Sequence, residues 1–158
     1  VLAERAADIP VVLDPVMVAT SGGRLLETSA TNALVKCLFS GAALVTPNIP
    51  EAEYLTGIRI TNPDEMRKAA AKLLALGPKA VLLKGGHLDG DVLTDLLLTP
   101  EYSRTFESHR INSRNTHGTG CTLASAIAAG LAQDMGLDDS IESKAICSER
   151  YPDGARFG

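Results

Sequence analysis

The sequence has few cysteines and no long apolar segment. Its three cysteines stand far apart in a chain of 158 residues, a sparse and odd number that indicates a reducing, cytoplasmic environment and not a disulfide scaffold. No apolar run approaches the roughly 20 residues that a membrane-spanning helix needs. The N-terminal residues lack the charged and apolar regions of a secretory signal. We therefore expect neither a membrane protein nor a disulfide-rich secreted domain.

Basic runs and metal-ligand spacings are also missing. The formal net charge is −4 and the sequence pI is about 5.3, so nothing favours binding to nucleic acid or to an anionic membrane. The histidines and cysteines form neither a CxxC nor an HExxH group. Apolar residues make up 45% of the chain and are spread along it, which predicts a globular protein with one core.

Short continuous apolar runs alternate with helical periodicity along the chain, which predicts α/β packing around a mainly parallel sheet. Two extended segments, 92–98 and 104–111, are predicted to form a hairpin. An alanine-rich helix is expected to follow Cys121 and to end near Gln133. The other expected elements are strands at 11–13, 42–45 and 80–83, a helix to Phe39 capped by Thr28 or Ser29, and helices at 50–57 and 62–77.

A glycine motif, HGTGC, precedes the alanine-rich helix. Gly118 and Gly120 let the backbone bring its N–H groups close to a ligand, and the helix N-terminus adds further N–H groups and a positive dipole end. Together with Thr119, they predict an anion site. Cys121 lies in the first helical turn, where a thiolate is favoured. A glycine-rich turn with a buried structural cysteine would give the same local pattern.

Polar residues follow each of the three predicted parallel strands. Asp14 follows the first, Asn48 and Glu51 follow the second, and Lys84 follows the third. Parallel strands would bring them to one edge of the sheet, where open α/β sheets bind ligands. Carboxylates that hold Mg²⁺, a lysine for phosphate and an anion cradle are the parts that phosphoryl transfer needs. Taken singly, each has an ordinary alternative as a turn former, a helix first-turn acid or a solvated turn.

Four segments resemble the hydroxymethylpyrimidine and phosphomethylpyrimidine kinases of thiamine biosynthesis, in the ribokinase-like superfamily. The NxxE pattern is shared widely in that superfamily, whereas a cysteine at position 121 is more specific, because the sugar kinases usually carry Asp there. The resemblance implies a three-layer ribokinase-like α/β fold whose N-terminal part is missing here. The segments are DPVMVATSG at 14–22, TPNIPEAEYLTG at 46–57, AVLLKGGH at 80–87 and RNTHGTGCTLASAIAAG at 114–130.

The resemblance implies transfer of the ATP γ-phosphate to the hydroxymethyl group of the pyrimidine, and then to its monophosphate, with ATP and Mg²⁺ as cofactors. Gly118, Thr119, Gly120 and Cys121 would form the anion hole for the transferring phosphoryl group. Cys121 would also act as the base toward the substrate hydroxyl.

The same resemblance implies roles for the residues at the strand ends. Lys84 would neutralise phosphate charge. Asp14, Asn48 and Glu51 would organise Mg²⁺ and the triphosphate, and Asp14 and Glu51 would be the metal carboxylates. Val16 would help to shape the pyrimidine pocket.

The sequence departs from the family pattern at both ends. Family members carry a further N-terminal segment, and after Met135 the sequence no longer resembles their amphipathic last helix. We therefore expect a partial kinase domain at 1–135 and a divergent, irregular tail at 136–158. A smaller difference is Gly23, where relatives often carry Asp.

Three alternatives remain open. The first is a pyridoxal-type kinase of the same superfamily, and the second is a truncated, non-catalytic fragment that binds nucleotide. The third is a thiol hydrolase or transferase with Cys121 as nucleophile and His117 as base, which the glycine loop between them disfavours. The expected partners are the pyrimidine substrate and ATP, with no nucleic acid or membrane, and a homodimer is left open.

Overall fold

The computed structural model describes residues 9–17, 27–85, 92–109 and 119–150. The predicted α/β architecture and the predicted hairpin are confirmed within these ranges. None of the helices found there is both long and apolar enough to cross a membrane. The elements are β1 (Val12–Leu13), α1 (Thr28–Leu38), a 3₁₀ turn (Phe39–Gly41), β2 (Leu44–Val45), α2 (Ile49–Thr56), α3 (Pro63–Leu74), β3 (Val81–Leu83), β4 (Val92–Leu98), β5 (Ser103–His109), α4 (Thr119–Leu131) and α5 (Leu137–Arg150).

The five strands form one sheet in the order β1-β2-β3-β4-β5. The pairs β1–β2 and β2–β3 are parallel, whereas β3–β4 and β4–β5 are antiparallel because the hairpin follows β3. The described sheet is therefore mixed, with its parallel half at the strands that the candidate site residues follow. A parallel bridge between Asn48 and Lys84 continues the β2–β3 pairing past the strand ends.

The core lies on both faces of the sheet. Because side chains alternate between faces along a strand, Val81 and Leu83 pack into one cluster with α2 and α3. Leu82 packs into a second cluster with Ile127 of α4 and Ile141 of α5. Helices on both faces give three layers, as the resemblance implies.

Helix α2 begins directly at the candidate site and has strong boundary signals. Asn48 is its N-cap, and the helix ends at Gly57, whose φ of 68° lies in the left-handed region that glycine adopts without strain. Helix α1 differs from the prediction: its N-cap is Glu27, which makes no side-chain capping bond. The predicted capping by Thr28 or Ser29 is wrong, because both residues already lie inside the helix.

The irregular tail predicted after Met135 is wrong for 137–150, which form helix α5. Ile141 and Ser140 are buried against α4, and the approach is close because Gly130 of α4 has no side chain. A Cβ at Gly130 would lie 2.7 Å from the Ser140 Oγ. Few apolar residues therefore suffice to dock α5, although residues 151–158 lie outside the described ranges.

Candidate functional site

The ends of β1 and β3 are joined by an ion pair between two predicted site residues. The Lys84 Nζ lies 2.9 Å from the Asp14 Oδ1, and the two side chains are only 14% and 12% exposed. The same carboxylate oxygen accepts a hydrogen bond of 3.0 Å from the Thr46 hydroxyl, which lies at the end of β2 and is fully buried. The three parallel strands thus contribute one group each to a single polar contact.

Asn48 and Glu51 form a reciprocal capping box at the start of α2. The Glu51 amide donates to the Asn48 Oδ1 at 2.9 Å, and the Asn48 amide donates to the Glu51 Oε2 at 2.8 Å. A capping box satisfies two N–H groups that the first turn of a helix leaves without partners. The NxxE spacing is therefore needed locally for the helix start, and it also fixes the Glu51 carboxylate beside Lys84.

Glu51 is a buried acid, with 2% of its surface exposed. Burial raises the pKa of the Glu51 carboxyl above its ordinary value, and the negative charge of Asp14 adds to that rise. Hydrogen bonds from the backbone of Asn48 and Met17 and the positive charge of Lys84 act in the opposite direction. The Asn48–Lys84 bridge, the bond from the Asn48 amide to Glu51 and the Asp14–Lys84 ion pair bring the three charged groups to the same strand ends.

Two further polar residues belong to this edge of the sheet and were not predicted. Thr46 lies in the TPN segment, and its buried hydroxyl binds Asp14. Asp95 is the single acid in the otherwise largely apolar strand β4, and its Oδ1 accepts a hydrogen bond of 2.8 Å from the Gly85 amide. An acid inside an apolar strand was a signal for Asp95, but its partner depends on the β3–β4 register.

The glycine motif is only partly described. Gly118 and His117 lie outside the described residues. Thr119, Gly120 and Cys121 form the first residues of α4, which confirms the helix start, while their side chains are not described. Leu123, two residues after Cys121, packs against the same core cluster as Val12 of β1, so the beginning of α4 covers the sheet near β1. The anion hole and the role of Cys121 stay predictions.

Val16 lies two residues beyond Asp14 in the turn that follows β1. Its amide donates to the Asp14 carbonyl at 2.9 Å, and its side chain is 44% exposed. Exposure of an apolar side chain beside a polar site is compatible with a ligand-facing position, and the pyrimidine contact stays a prediction.

The described cluster carries more acid than base. Asp14 binds the Lys84 ammonium, and the positive charge of Lys84 acts to lower the pKa of the Glu51 and Asp95 carboxyls. Within the described ranges, no three His, Cys, Asp or Glu side chains are grouped as a metal centre. Mg²⁺ in phosphoryl-transfer sites commonly takes one or two carboxylates and completes its shell with phosphate and water. The hard oxygen donors of Asp14 and Glu51 and the excess negative charge fit that cation.

Sequence comparison gives a consistent family. Residues 1–150 match the phosphomethylpyrimidine kinase family. The chain is 53% identical over 131 residues, 83% of its length, to the thiamine biosynthesis bifunctional protein ThiED of Geobacter sulfurreducens, of which it covers 27%. It is 41% identical over 148 residues, 94% of its length, to the hydroxymethylpyrimidine/phosphomethylpyrimidine kinase of Streptomyces coelicolor, of which it covers 53%. The chain thus spans about half the length of the single-function kinase and a smaller share of the bifunctional protein.

Solved structures agree with the sequence comparison. The phosphomethylpyrimidine kinase of Clostridium difficile superposes with a TM-score of 0.81 at 37% identity, covering 95% of this chain and 60% of that one. A pyridoxal kinase of Staphylococcus aureus in complex with AMP-PCP superposes with a TM-score of 0.77 at 33% identity, covering 85% and 49%. These neighbours confirm the ribokinase-like fold. With the family match over residues 1–150, the chain belongs to the phosphomethylpyrimidine kinase family.

Proposed function

We propose that the protein to which this chain belongs transfers the γ-phosphoryl group of ATP to the hydroxymethyl group of hydroxymethylpyrimidine, and then to the monophosphate. The observation that carries the proposal is the meeting of Asp14, Asn48, Glu51 and Lys84 at the carboxyl ends of three parallel strands. Relatives named hydroxymethylpyrimidine/phosphomethylpyrimidine kinases support this acceptor.

Lys84 would supply positive charge to the phosphates. In the described arrangement its ammonium is held by Asp14 at 2.9 Å, so the side chain is already ordered at the strand edge. Phosphoryl transfer depends mainly on positioning and electrostatic stabilisation, and a lysine held in place loses little freedom when it meets a phosphate oxygen. Asn48 contributes indirectly, because its capping bonds keep Glu51 at the start of α2.

Cys121 would act as the base. It would take the proton of the substrate hydroxyl while that oxygen forms a bond to the γ-phosphorus and the bond to the ADP oxygen breaks. Gly118, Thr119 and Gly120 would direct backbone N–H groups at the negative charge on the transferring group, as helix N-termini do for anions. Val16 would contact the pyrimidine ring.

Asp14 and Glu51 would hold Mg²⁺ at the triphosphate. Mg²⁺ held there would supply positive charge that offsets the negative charge of the phosphates. Glu51 would serve this role when its carboxyl is ionised, and burial raises the pKa of that carboxyl.

Pyridoxal is the alternative acceptor. The pyridoxal kinase of S. aureus bound to AMP-PCP superposes nearly as well as the phosphomethylpyrimidine kinase. A hydroxymethyl group on a six-membered nitrogen ring is common to both substrates, so the chemistry proposed for Cys121 and Lys84 would serve either.

The test is phosphorylation by the 158-residue chain with Mg-ATP, with hydroxymethylpyrimidine and pyridoxal in parallel reactions. We expect turnover with the pyrimidine and its loss in Cys121→Ala. Cys37→Ala is the matched control, because Cys37 is a free, exposed cysteine on α1. Better turnover of pyridoxal would favour the alternative acceptor, and full activity in Cys121→Ala would remove the proposed base.

Two outcomes without turnover separate the remaining possibilities. Mg-ATP binding without transfer would indicate a nucleotide-binding fragment of the kinase domain. Stoichiometric acylation of Cys121 by acyl substrates would instead favour the thiol chemistry. Sedimentation of the same sample would decide between a monomer and a homodimer.

A further inference from the structure

Asp95 is a partly buried acid that the proposed reaction does not yet use. It lies in β4 opposite Phe106 of β5 and is followed by two leucines, Leu96 and Leu97, that are 2% and 0% exposed. Burial raises the pKa of the Asp95 carboxyl, while the Gly85 amide and the charge of Lys84 lower it. A carboxylate in such surroundings is costly unless it is hydrogen-bonded, and its observed partner is the backbone next to Lys84.

The Lys84–Gly85 backbone is held from two sides. The Lys84 amide donates to the Pro47 carbonyl at 2.9 Å, which ties it to the end of β2. The next amide, that of Gly85, donates to the Asp95 Oδ1 at 2.8 Å, which ties it to β4. The β3–β4 ladder ends at the pair of Leu83 and Leu96, so a side-chain carboxylate continues the connection where the strand ladder stops.

Close packing removes the remaining freedom of this peptide. A Cβ on Gly85 would overlap the carbonyl oxygen of Thr94, which directly precedes Asp95. Gly85 therefore lies against the β4 backbone with no space for a side chain, and the Asp95 carboxylate closes over its amide. Gly85 is therefore constrained both by its hydrogen bond to Asp95 and by its contact with Thr94, and this holds the Cα of the neighbouring Lys84 in place.

We propose that Asp95 is a positioning residue for Lys84. Its carboxylate fixes the Gly85 amide and attracts the lysine charge from the β4 side, while Asp14 binds the ammonium from the β1 side. The Lys84 backbone is thereby held at the strand edge while its ammonium rests on Asp14, from which it can transfer to an anion. The role of Lys84 in phosphoryl transfer rests on the proposed function, whereas its positioning by Asp95 is a property of the chain itself.

The experiment compares Asp95→Ala with Asp95→Asn. Alanine removes the hydrogen bond and the charge, and asparagine keeps an oxygen that can accept from the Gly85 amide. Glu107→Gln is the matched control, since Glu107 is an exposed acid on β5 paired with Thr94 of β4. Two readouts are taken from each folded variant: the rate of Lys84 reductive methylation by formaldehyde and cyanoborohydride, followed by mass spectrometry, and kcat and KM for ATP. Exposed Lys68 of α3 is the internal standard for labelling.

We expect Lys84 labelling relative to Lys68 to rise about tenfold or more in Asp95→Ala, because the Gly85 amide loses its hydrogen bond to a charged acceptor and the backbone next to Lys84 is released. The Asp95→Asn variant should lie between Asp95→Ala and the wild type, and Glu107→Gln should match the wild type. In an active enzyme, kcat should fall in the same order with a smaller change in KM, since Lys84 acts on the transferring group.

Unchanged Lys84 labelling in both Asp95 variants would overturn the inference, as would unchanged kcat in an active enzyme. A purely structural role would lower the melting temperature and leave the labelling ratio and kcat of the folded protein unaltered. If Asp95→Ala does not fold, Asp95→Asn decides. If the wild-type chain shows no transfer to any acceptor, that result bears on the proposed function alone, and the labelling ratio tests the positioning role.

Discussion

Replacement of Lys84 by Met should destabilise the fold even without substrate. The ammonium and the Asp14 carboxylate are 2.9 Å apart and are 14% and 12% exposed, so removal of one partner leaves a nearly buried charge. Such losses amount to about 3–5 kcal/mol in buried pairs. We expect about 3 kcal/mol here, at the lower end, because Asp14 keeps its hydrogen bond from Thr46.

A double-mutant cycle isolates the interaction itself. Asp14→Asn should also destabilise, whereas Asp14→Asn combined with Lys84→Met should cost less than the two single changes together. We expect a coupling energy of about 2 kcal/mol, within the range for contacting residues. The assay is urea unfolding at pH 7, analysed by linear extrapolation.

The exposed pair of Arg104 and Glu142 is the control. Its side chains are 43% and 50% exposed, and pairs of this kind contribute about 0.2–1 kcal/mol. Salt at about 1 M should remove that surface coupling and spare most of the buried one. A coupling for Asp14 and Lys84 no larger than that of the surface pair would refute the reasoning from burial.

Three further changes test the site and the core. Gly85→Ala should lower the free energy of unfolding by about 3 kcal/mol in urea unfolding, because the new Cβ overlaps the Thr94 carbonyl; a wild-type midpoint would contradict that close approach. Glu51→Gln should become increasingly stable relative to the wild type as the pH rises from the ordinary carboxyl pKa of 4.5 through the raised native pKa. The reason is that the native protein holds the Glu51 proton to a higher pH than the unfolded chain does, so the wild type loses stability in this window. Melting temperatures that change in parallel for both proteins across the window would argue against the raised pKa. Leu82→Ala should cost about 2–5 kcal/mol by calorimetry or urea, because Leu82 is fully buried among the second core cluster, and a loss below about 1 kcal/mol would show that the cluster collapses to fill the space.

Local signals predicted most of the elements. The NPD and PNIPE segments contain a capping residue and an early proline, which mark helix starts wherever they occur, and α2 and α3 begin there. The hairpin followed from two extended segments joined by a short connection. The prediction of an irregular tail was wrong because helix α5 depends on contacts of Ile141 and Ser140 with α4 and has little apolar periodicity of its own.

The sequence by itself determined which residues follow each strand, because strand ends, caps and glycine turns depend on neighbouring residues. It therefore predicted Asp14, Asn48, Glu51 and Lys84 as one group. Only the tertiary structure decided the contacts among them. Asp14 and Lys84 are 70 residues apart in the chain, and strand register sets their distance. The same register brings Asp95 to the Gly85 amide, since a shift of one residue would turn that carboxylate to the opposite face of the sheet.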